Sequence, residues 1–293
     1  MECGVKNFFL FITPSFIWGS TWLVITYQLG SVDPLVSVVY RFMIAAIILI
    51  LFLWIKRDNL TFNRGAHLFM AAQGFFLFGI NYWLVYLAEM HLTSGVVAIL
   101  FATLVFMNIF NSSIFLKNPI RMHVLFASII GIVGVSLIFR QEILIIDVSK
   151  QTMLAFIFSI AGAYSASLGN ILSARNQKMK LPVLQTNAFG MLYGALFMTI
   201  ITLIAGKHFT FDVSFTYIWS LLYLSVFGSI VAFGSYLTLL GKIGADRAAY
   251  VTLVVPVIAL ILSTLFEGYQ WSVAGFFGVV LILVGNMLVM RKK

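Results

Sequence analysis

Residues 34–55 read PLVSVVYRFMIAAIILILFLWI, an apolar run interrupted by one charge, Arg41. Wound as a helix at about 1.5 Å per residue it is roughly 33 Å long, against about 30 Å for the hydrocarbon core of a bilayer. It is too long for a barrel strand, and its apolar residues do not alternate with polar ones. A lone segment in lipid can satisfy its own backbone N–H and C=O groups only as a helix. The run is therefore read as a transmembrane helix.

Working outward, nine comparable runs follow at about 8–28, 67–88, 94–116, 121–139, 152–174, 182–205, 214–240, 246–266 and 271–290. Of the 293 residues, 62% are hydrophobic and 9% charged, where a soluble domain has about 45–50% and about 25%. A chain this apolar cannot hide its surface from water. The longest interval between runs, Arg140 to Gln151, is a loop and not a soluble domain. The net charge is +9, yet the basic residues stand beside the ends of the runs, where headgroups lie. They form no stripe, so nucleic acid is excluded as a partner. The single cysteine, Cys3, rules out an intrachain disulfide. The first run, behind Lys6, lacks a small-residue cleavage site and is read as a retained span, not a leader.

Orientation follows from lysine and arginine. With the N-terminus in the cytoplasm, the inner segments hold fourteen of the eighteen, from Lys6 to Arg291-Lys292-Lys293. The outer loops hold Arg140, Lys150 and Lys207, and Arg41 stays within span two. The acids lean the other way, with Asp33, Glu89, Glu142, Asp147, Asp212 and Glu267 outside. Both termini are expected in the cytoplasm.

The two halves look alike. Spans one and six carry Trp18-Gly19-Ser20 and Tyr164-Ser165-Ala166, and spans two and seven open at Pro34 and Pro182. Spans three and eight share Phe78-Gly79 and Phe233-Gly234, while spans five and ten share spaced glycines ending at Gly134 and Gly285. Five spans is an odd number, so the second half enters the membrane upside down. Inverted repeats of this kind are common among secondary transporters. The expectation is an all-α membrane protein with ten transmembrane helices in two inverted five-helix repeats, residues 1–140 and 151–293.

Trp18-Gly19-Ser20-Thr21-Trp22, Pro34 followed by Arg41-Phe42, the run Phe78-Gly79-Ile80-Asn81-Tyr82, the Pro256 segment and Leu265-Phe266-Glu267 stand in a characteristic order and spacing. By them the chain resembles the drug/metabolite transporter superfamily, in its EamA-type branch of two five-helix repeats, over essentially its whole length. It departs at Lys117, where the family often has an acid, and at Phe106, which faces Pro256 across the repeat. The resemblance implies export or exchange of amino acids or other small metabolites.

Catalytic chemistry is not visible. No GxxxxGK[ST] loop supports an ATP-driven pump, and no HExxH or cysteine pair supports a metal. His67, His91, His123 and His208 lie near span ends, and no acid lies clearly inside a span. Neither enzyme nor cofactor is expected. Proton-driven carriers usually keep a titratable group at depth, so transport is expected to be facilitated or exchange-type, with Glu89 and Glu267 the nearest acids.

Candidate substrate-binding residues are the polar and aromatic groups within the spans. Arg41 sits about seven residues into span two, where an arginine costs about 2.5–3.5 kcal/mol or more unless paired or hydrated. It either binds a carboxylate or phosphate, or snorkels and braces a neighbouring helix. Trp18 and Trp22 share one face of span one, just after Pro14. Span three offers Asn81, Tyr82 and Tyr86, span six Tyr164 and Asn170, and span seven Asn187. In span eight Ser225, Ser229, Ala232 and Tyr236 form a stripe that serves either packing or a cargo path. Gly190 and Gly194 read as a packing motif. Pro14, Pro256 and Tyr250 are candidate hinges, Pro256 because it deprives the Thr252 carbonyl of its helical donor. The expected partners are a small-molecule substrate and the lipid bilayer, with the protein a monomer or homodimer in the cytoplasmic membrane. A carrier of phosphorylated or lipid-linked substrates, or a non-transporting scaffold, is the alternative.

Overall fold

The computed structural model describes residues 2–92, 94–144, 149–266 and 271–290, and among these every regular element is a helix. Ten apolar helices correspond to the ten runs. Span one is Glu2–Thr26, span two Pro34–Ile55, span three Arg64–Glu89 and span four Ser94–Ala102 continuing as Leu104–Leu116. Span five is Met122–Ile138, span six Lys150–Lys178, span seven Val183–Ile204 and span eight Phe215–Ile243. Span nine is Ala245–Ala248 and Val251–Phe266, and span ten is Val273–Met290. Spans five and ten are the shortest of the ten apolar runs. A short helix, Arg140–Leu144, follows span five.

Local chemistry sets several starts. The carboxylate of Asp33 accepts from the Leu35 N–H at 3.0 Å with Pro34 at the first helical position, and the amide oxygen of Asn63 accepts from Ala66 N at 2.8 Å. Ser149 and Ser214 cap spans six and eight in the same way. Each side chain takes one of the donors that a helix start leaves without a partner.

Neighbour relations reveal the symmetry. Span one packs on spans eight and nine, and span six packs on spans three and four. Span three packs on seven, and eight on two, while pairs two–seven, five–ten and four–nine map onto themselves. Exchanging each span with the one five places on therefore carries these pairings onto one another. Small residues make the self-paired contacts close. A Cβ on Gly134 would come within 2.6 Å of the Gly278 carbonyl, and one on Gly278 within 2.5 Å of the Gly134 carbonyl. Gly190 and Gly194 pack on the backbone of Gly74 in span three, so their GxxxG spacing works within the chain.

The irregular backbone is also paired. Span three is π-helical over Gly74–Ile80 and span eight over Leu224–Val231. Spans four and nine are interrupted, at Thr103 and at Ala249–Tyr250. Pro14 lies inside the continuous helix Glu2–Thr26, and Pro256 inside Val251–Phe266. Membrane helices tolerate such prolines when Ser/Thr side chains or neighbours take up the freed backbone groups. Glu267, read as the outer end of span nine, lies outside the described residues.

Candidate functional site: a cavity between the repeats

Each π turn leaves carbonyls off the regular ladder, and a span of the other repeat supplies a donor. Trp18 Nε1 in span one donates to the Gly228 carbonyl of span eight at 3.1 Å. Ser165 Oγ in span six donates to the Phe76 carbonyl of span three at 2.8 Å. These are the two segments, Trp18-Gly19-Ser20 and Tyr164-Ser165-Ala166, that the internal repeat aligns. The π turn of span three, at Leu77, and the interrupted spans four and nine border one cavity.

That cavity has a volume of about 70 Å³, room for a few waters. Trp18, Thr21 and Trp22 of span one, Asn81 and Tyr82 of span three, Phe101 of span four, Asn170 of span six, Phe233 and Tyr236 of span eight and Thr252 of span nine line it. The Trp18 ring packs on Phe233 and Tyr236 at centroid separations of 4.9 and 5.1 Å. Asn170 Nδ2 donates to the Tyr236 hydroxyl at 3.0 Å, and Asn81 Nδ2 to the Leu77 carbonyl at 3.1 Å. Each amide is thereby fixed by its nitrogen, leaving its oxygen free. Trp22 Nε1, Asn81 Oδ1 and Asn170 Oδ1 are buried with no protein partner. One donor and two acceptors are thus held among aromatic faces, a set suited to a small amphipathic molecule.

Six of the sequence-derived candidates meet here: Trp18, Trp22, Asn81, Tyr82, Asn170 and Tyr236. Four do not line the cavity. Tyr164 is 46% exposed and belongs to a shallow groove with Met107 and Phe156 on the outside of the bundle, so it is corrected to a surface residue. Asn187 is buried in an amide cluster, where its Oδ1 accepts from Gln73 Nε2 at 3.3 Å while Gln73 Oε1 accepts from Asn176 at 3.0 Å. Tyr86 is fully buried one turn along span three from Tyr82. Arg41, 0% exposed, lies directly behind Tyr82. Its Cζ stands 4.4 Å from the Tyr82 ring centroid and 5.3 Å from that of Phe42, and its Nε donates to Ser229 Oγ at 3.0 Å. Nη1 and Nη2 meet no acceptor at hydrogen-bonding geometry. The hydroxyls of Tyr82 and Tyr86 and the carboxyl of Glu89 are nevertheless close enough for its charge to act on them.

Of the candidate hinges, Tyr250 stands at the interruption of span nine. Its hydroxyl donates to the Val124 carbonyl at 2.7 Å and lies 2.9 Å from Ser128 Oγ, both in span five. The sequence reading missed Thr21, Phe101 and Phe233, because one more threonine or phenylalanine in a chain this apolar carries no distinguishing signal. It also placed every acid at the rims. Glu89 does end span three, but it is turned inward and only 9% exposed.

Ten spans related by an inverted exchange, with broken helices around an aromatic cavity at the repeat interface, define a membrane carrier of the inverted-repeat class. The comparison with known proteins narrows this. The chain belongs to the EamA-like transporter family, whose profile matches it twice, over residues 6–140 and 153–291. It is 25% identical to "Protein PagO" of Salmonella typhimurium, covering 95% of this chain and 91% of that one. It is 28% identical to "Uncharacterized inner membrane transporter YedA" of Escherichia coli (strain K12), covering 93% and 89%. A "Probable amino-acid metabolite efflux pump" of the same organism is 24% identical over 92% of this chain and 89% of its own. One crystal structure superposes with a TM-score of 0.78 over 98% of this chain and 96% of the other, at 14% identity, which shows the shared fold.

Proposed function

We propose that this transporter exports or exchanges amino acids or related amphipathic metabolites across the inner membrane by alternating access, with both termini in the cytoplasm. The observation that carries this is the cavity wall. Trp22 Nε1, Asn81 Oδ1 and Asn170 Oδ1 are buried, unpartnered and set among aromatic rings. A buried polar atom without a partner costs about 1–3 kcal/mol, so these groups favour a cargo that supplies both donors and acceptors. A relative named as an amino-acid metabolite efflux pump supports the same class, and the charge asymmetry of the loops supports the orientation. Arg41 lies behind Tyr82 and not on the wall, which disfavours the phosphorylated or lipid-linked cargo that would need a phosphate held at the cavity surface. The protein works as a monomer or homodimer.

The test is counterflow in proteoliposomes. Vesicles loaded with one unlabelled amino acid at a time should accumulate its labelled form when the protein is present. Asn170→Ala and Trp22→Phe each remove one hydrogen bond to cargo, about 0.5–1.5 kcal/mol, and should weaken half-saturation roughly 2- to 12-fold. Counterflow of none of the amino acids, with folding preserved, rejects this cargo class.

A further inference from the structure

Exchange of the two repeats gives each residue of one half a counterpart in the other, at the opposite face. Phe106 corresponds to Pro256 in spans four and nine, and Gly134 to Gly285 in spans five and ten. The packing agrees with this register. A Cβ on Gly134 would meet the Gly278 carbonyl, and one on Gly285 would stand 3.0 Å from the carbonyl of Ala127, the counterpart of Gly278. With the register fixed, a bond made at one face can be checked against the residues that would have to make it at the other.

On the side of the cavity that faces the chain's termini, spans four and five of the first repeat are tied to span nine of the second. The Tyr250 hydroxyl donates to the Val124 carbonyl at 2.7 Å and lies 2.9 Å from Ser128 Oγ. Asn108 Nδ2 donates to the Ala245 carbonyl at 3.2 Å, and at the rim Arg121 stands 3.7 Å from Asp246. Tyr250, Ser128, Asn108 and Ala245 are all buried. These ties lie directly beneath the cargo space. Asn170 on the cavity wall has its Nδ2 3.5 Å from Asn108 Oδ1, and Thr252 of the wall is two residues from Tyr250. The counterparts at the opposite face lack these groups: Leu100 and Val279 for Tyr250 and Ser128, Ile258 for Asn108, Val96 and Ser272 for Asp246 and Arg121. The cavity leans toward that opposite face, its wall reaching Ile25 in the last turn of span one and Val85 one turn before the end of span three. The flanking seams show no such bias. Gln28 of span one donates to the Tyr217 carbonyl of span eight at 3.1 Å on the outer side, and Asn176 of span six to Gln73 of span three at 3.0 Å on the inner.

We propose that Tyr250 and Asn108 form a one-sided latch that holds the transporter closed toward the face of its termini, with no matching latch at the other face. Two identical repeats would make the two closed states equal in free energy, so a preference comes from groups the repeats do not share. The latch bonds exist only while span nine meets spans four and five at the termini face. Parting them gives up directional bonds that water replaces only in part. Closing the opposite face brings together Leu100, Val279 and Ile258, whose side chains form no such bonds. The resting protein therefore turns its cargo space away from the termini, and opening toward them is the step that cargo must promote. This deepens the proposed function and rests on alternating access.

The test uses the full chain carrying Cys3→Ser and Thr21→Cys in sealed vesicles, with a membrane-impermeant maleimide applied to one face at a time. A protease-cleavable tag at the C-terminus reports which face bears the termini. The readout is the labelling rate from the termini face divided by the rate from the opposite face. The parent protein should give a ratio below one. Tyr250→Phe keeps the ring and loses the hydroxyl, and Asn108→Ala loses the amide. An interhelical hydrogen bond in a membrane protein shifts an equilibrium roughly threefold on average, so each variant should raise the ratio by about that factor. A parent ratio above one, or an unchanged ratio in both variants with label entering from both faces, overturns the latch and leaves alternating access standing. Label from one face alone in every variant, or from neither, removes alternating access and the latch together. Should Asn108→Ala fail to fold, Tyr250→Phe, which loses a single oxygen, decides.

Discussion

Asn170 and Asn187 are both fully buried amides, and their surroundings give them different work. Asn170 lines the cavity and donates to the Tyr236 hydroxyl, its oxygen unpartnered, whereas Asn187 accepts from Gln73 in a cluster away from it. Interhelical hydrogen bonds in membranes average about 0.6 kcal/mol, with a maximum near 1.7. Asn187→Ala should therefore lower thermal stability by about that much and leave half-saturation for cargo unchanged. Asn170→Ala should show a comparable stability loss together with weakened transport. Melting curves and counterflow on the same preparations check both, and equal effects on transport would show that burial alone matters. Sequence could separate some of these residues. Tyr164 and Asn170 lie six positions apart on span six, about 240° around a helix at 3.6 residues per turn, so only one of them can face a single cavity. It could not show that Glu89 turns inward, because a span-end acid looks the same whether its rotation points it to solvent or into the bundle.

The helices differ most from ideal rods where the two repeats meet, at the π turns of spans three and eight and the interruptions of spans four and nine. The lengths of the spans were legible in hydropathy, since each needs about 20 apolar residues. The breaks were not. Proline marks positions 14 and 256, whereas the π turns meet donors such as Trp18 and Ser165 that lie far away in sequence. Trp18→Phe keeps the ring against Phe233 but leaves the Gly228 carbonyl without its donor. It should slow transport with a stability loss of about 1 kcal/mol, and Ser165→Ala should do the same in the other repeat. Unchanged transport rates in both variants would mean that the π turns are static. Gly134→Ala tests the packing between spans five and ten. The new methyl group meets the Gly278 carbonyl, which is backbone and cannot swing aside, so a loss of about 1–3 kcal/mol in thermal or denaturant unfolding is expected. A neutral result would show that the two spans can separate freely.

At the scale of the molecule, the inverted exchange of neighbours makes a two-sided carrier plausible on physical grounds. If one repeat adopts a conformation that seals the cavity toward one face, the other can adopt the related conformation and seal it toward the opposite face. Repeated motifs such as Phe78-Gly79 and Phe233-Gly234 already hinted at this in the sequence. The pairing of spans one with eight and six with three did not appear there, because it depends on contacts between halves. Thr21 gives a direct probe, since it lines the cavity and is only 5% exposed. With Cys3→Ser removing the one native thiol, Thr21→Cys can be challenged in sealed vesicles with a membrane-impermeant thiol reagent applied to either face. Alternating access predicts labelling from both faces, slowed by a transported amino acid. Labelling from one face alone, or from neither, would contradict it.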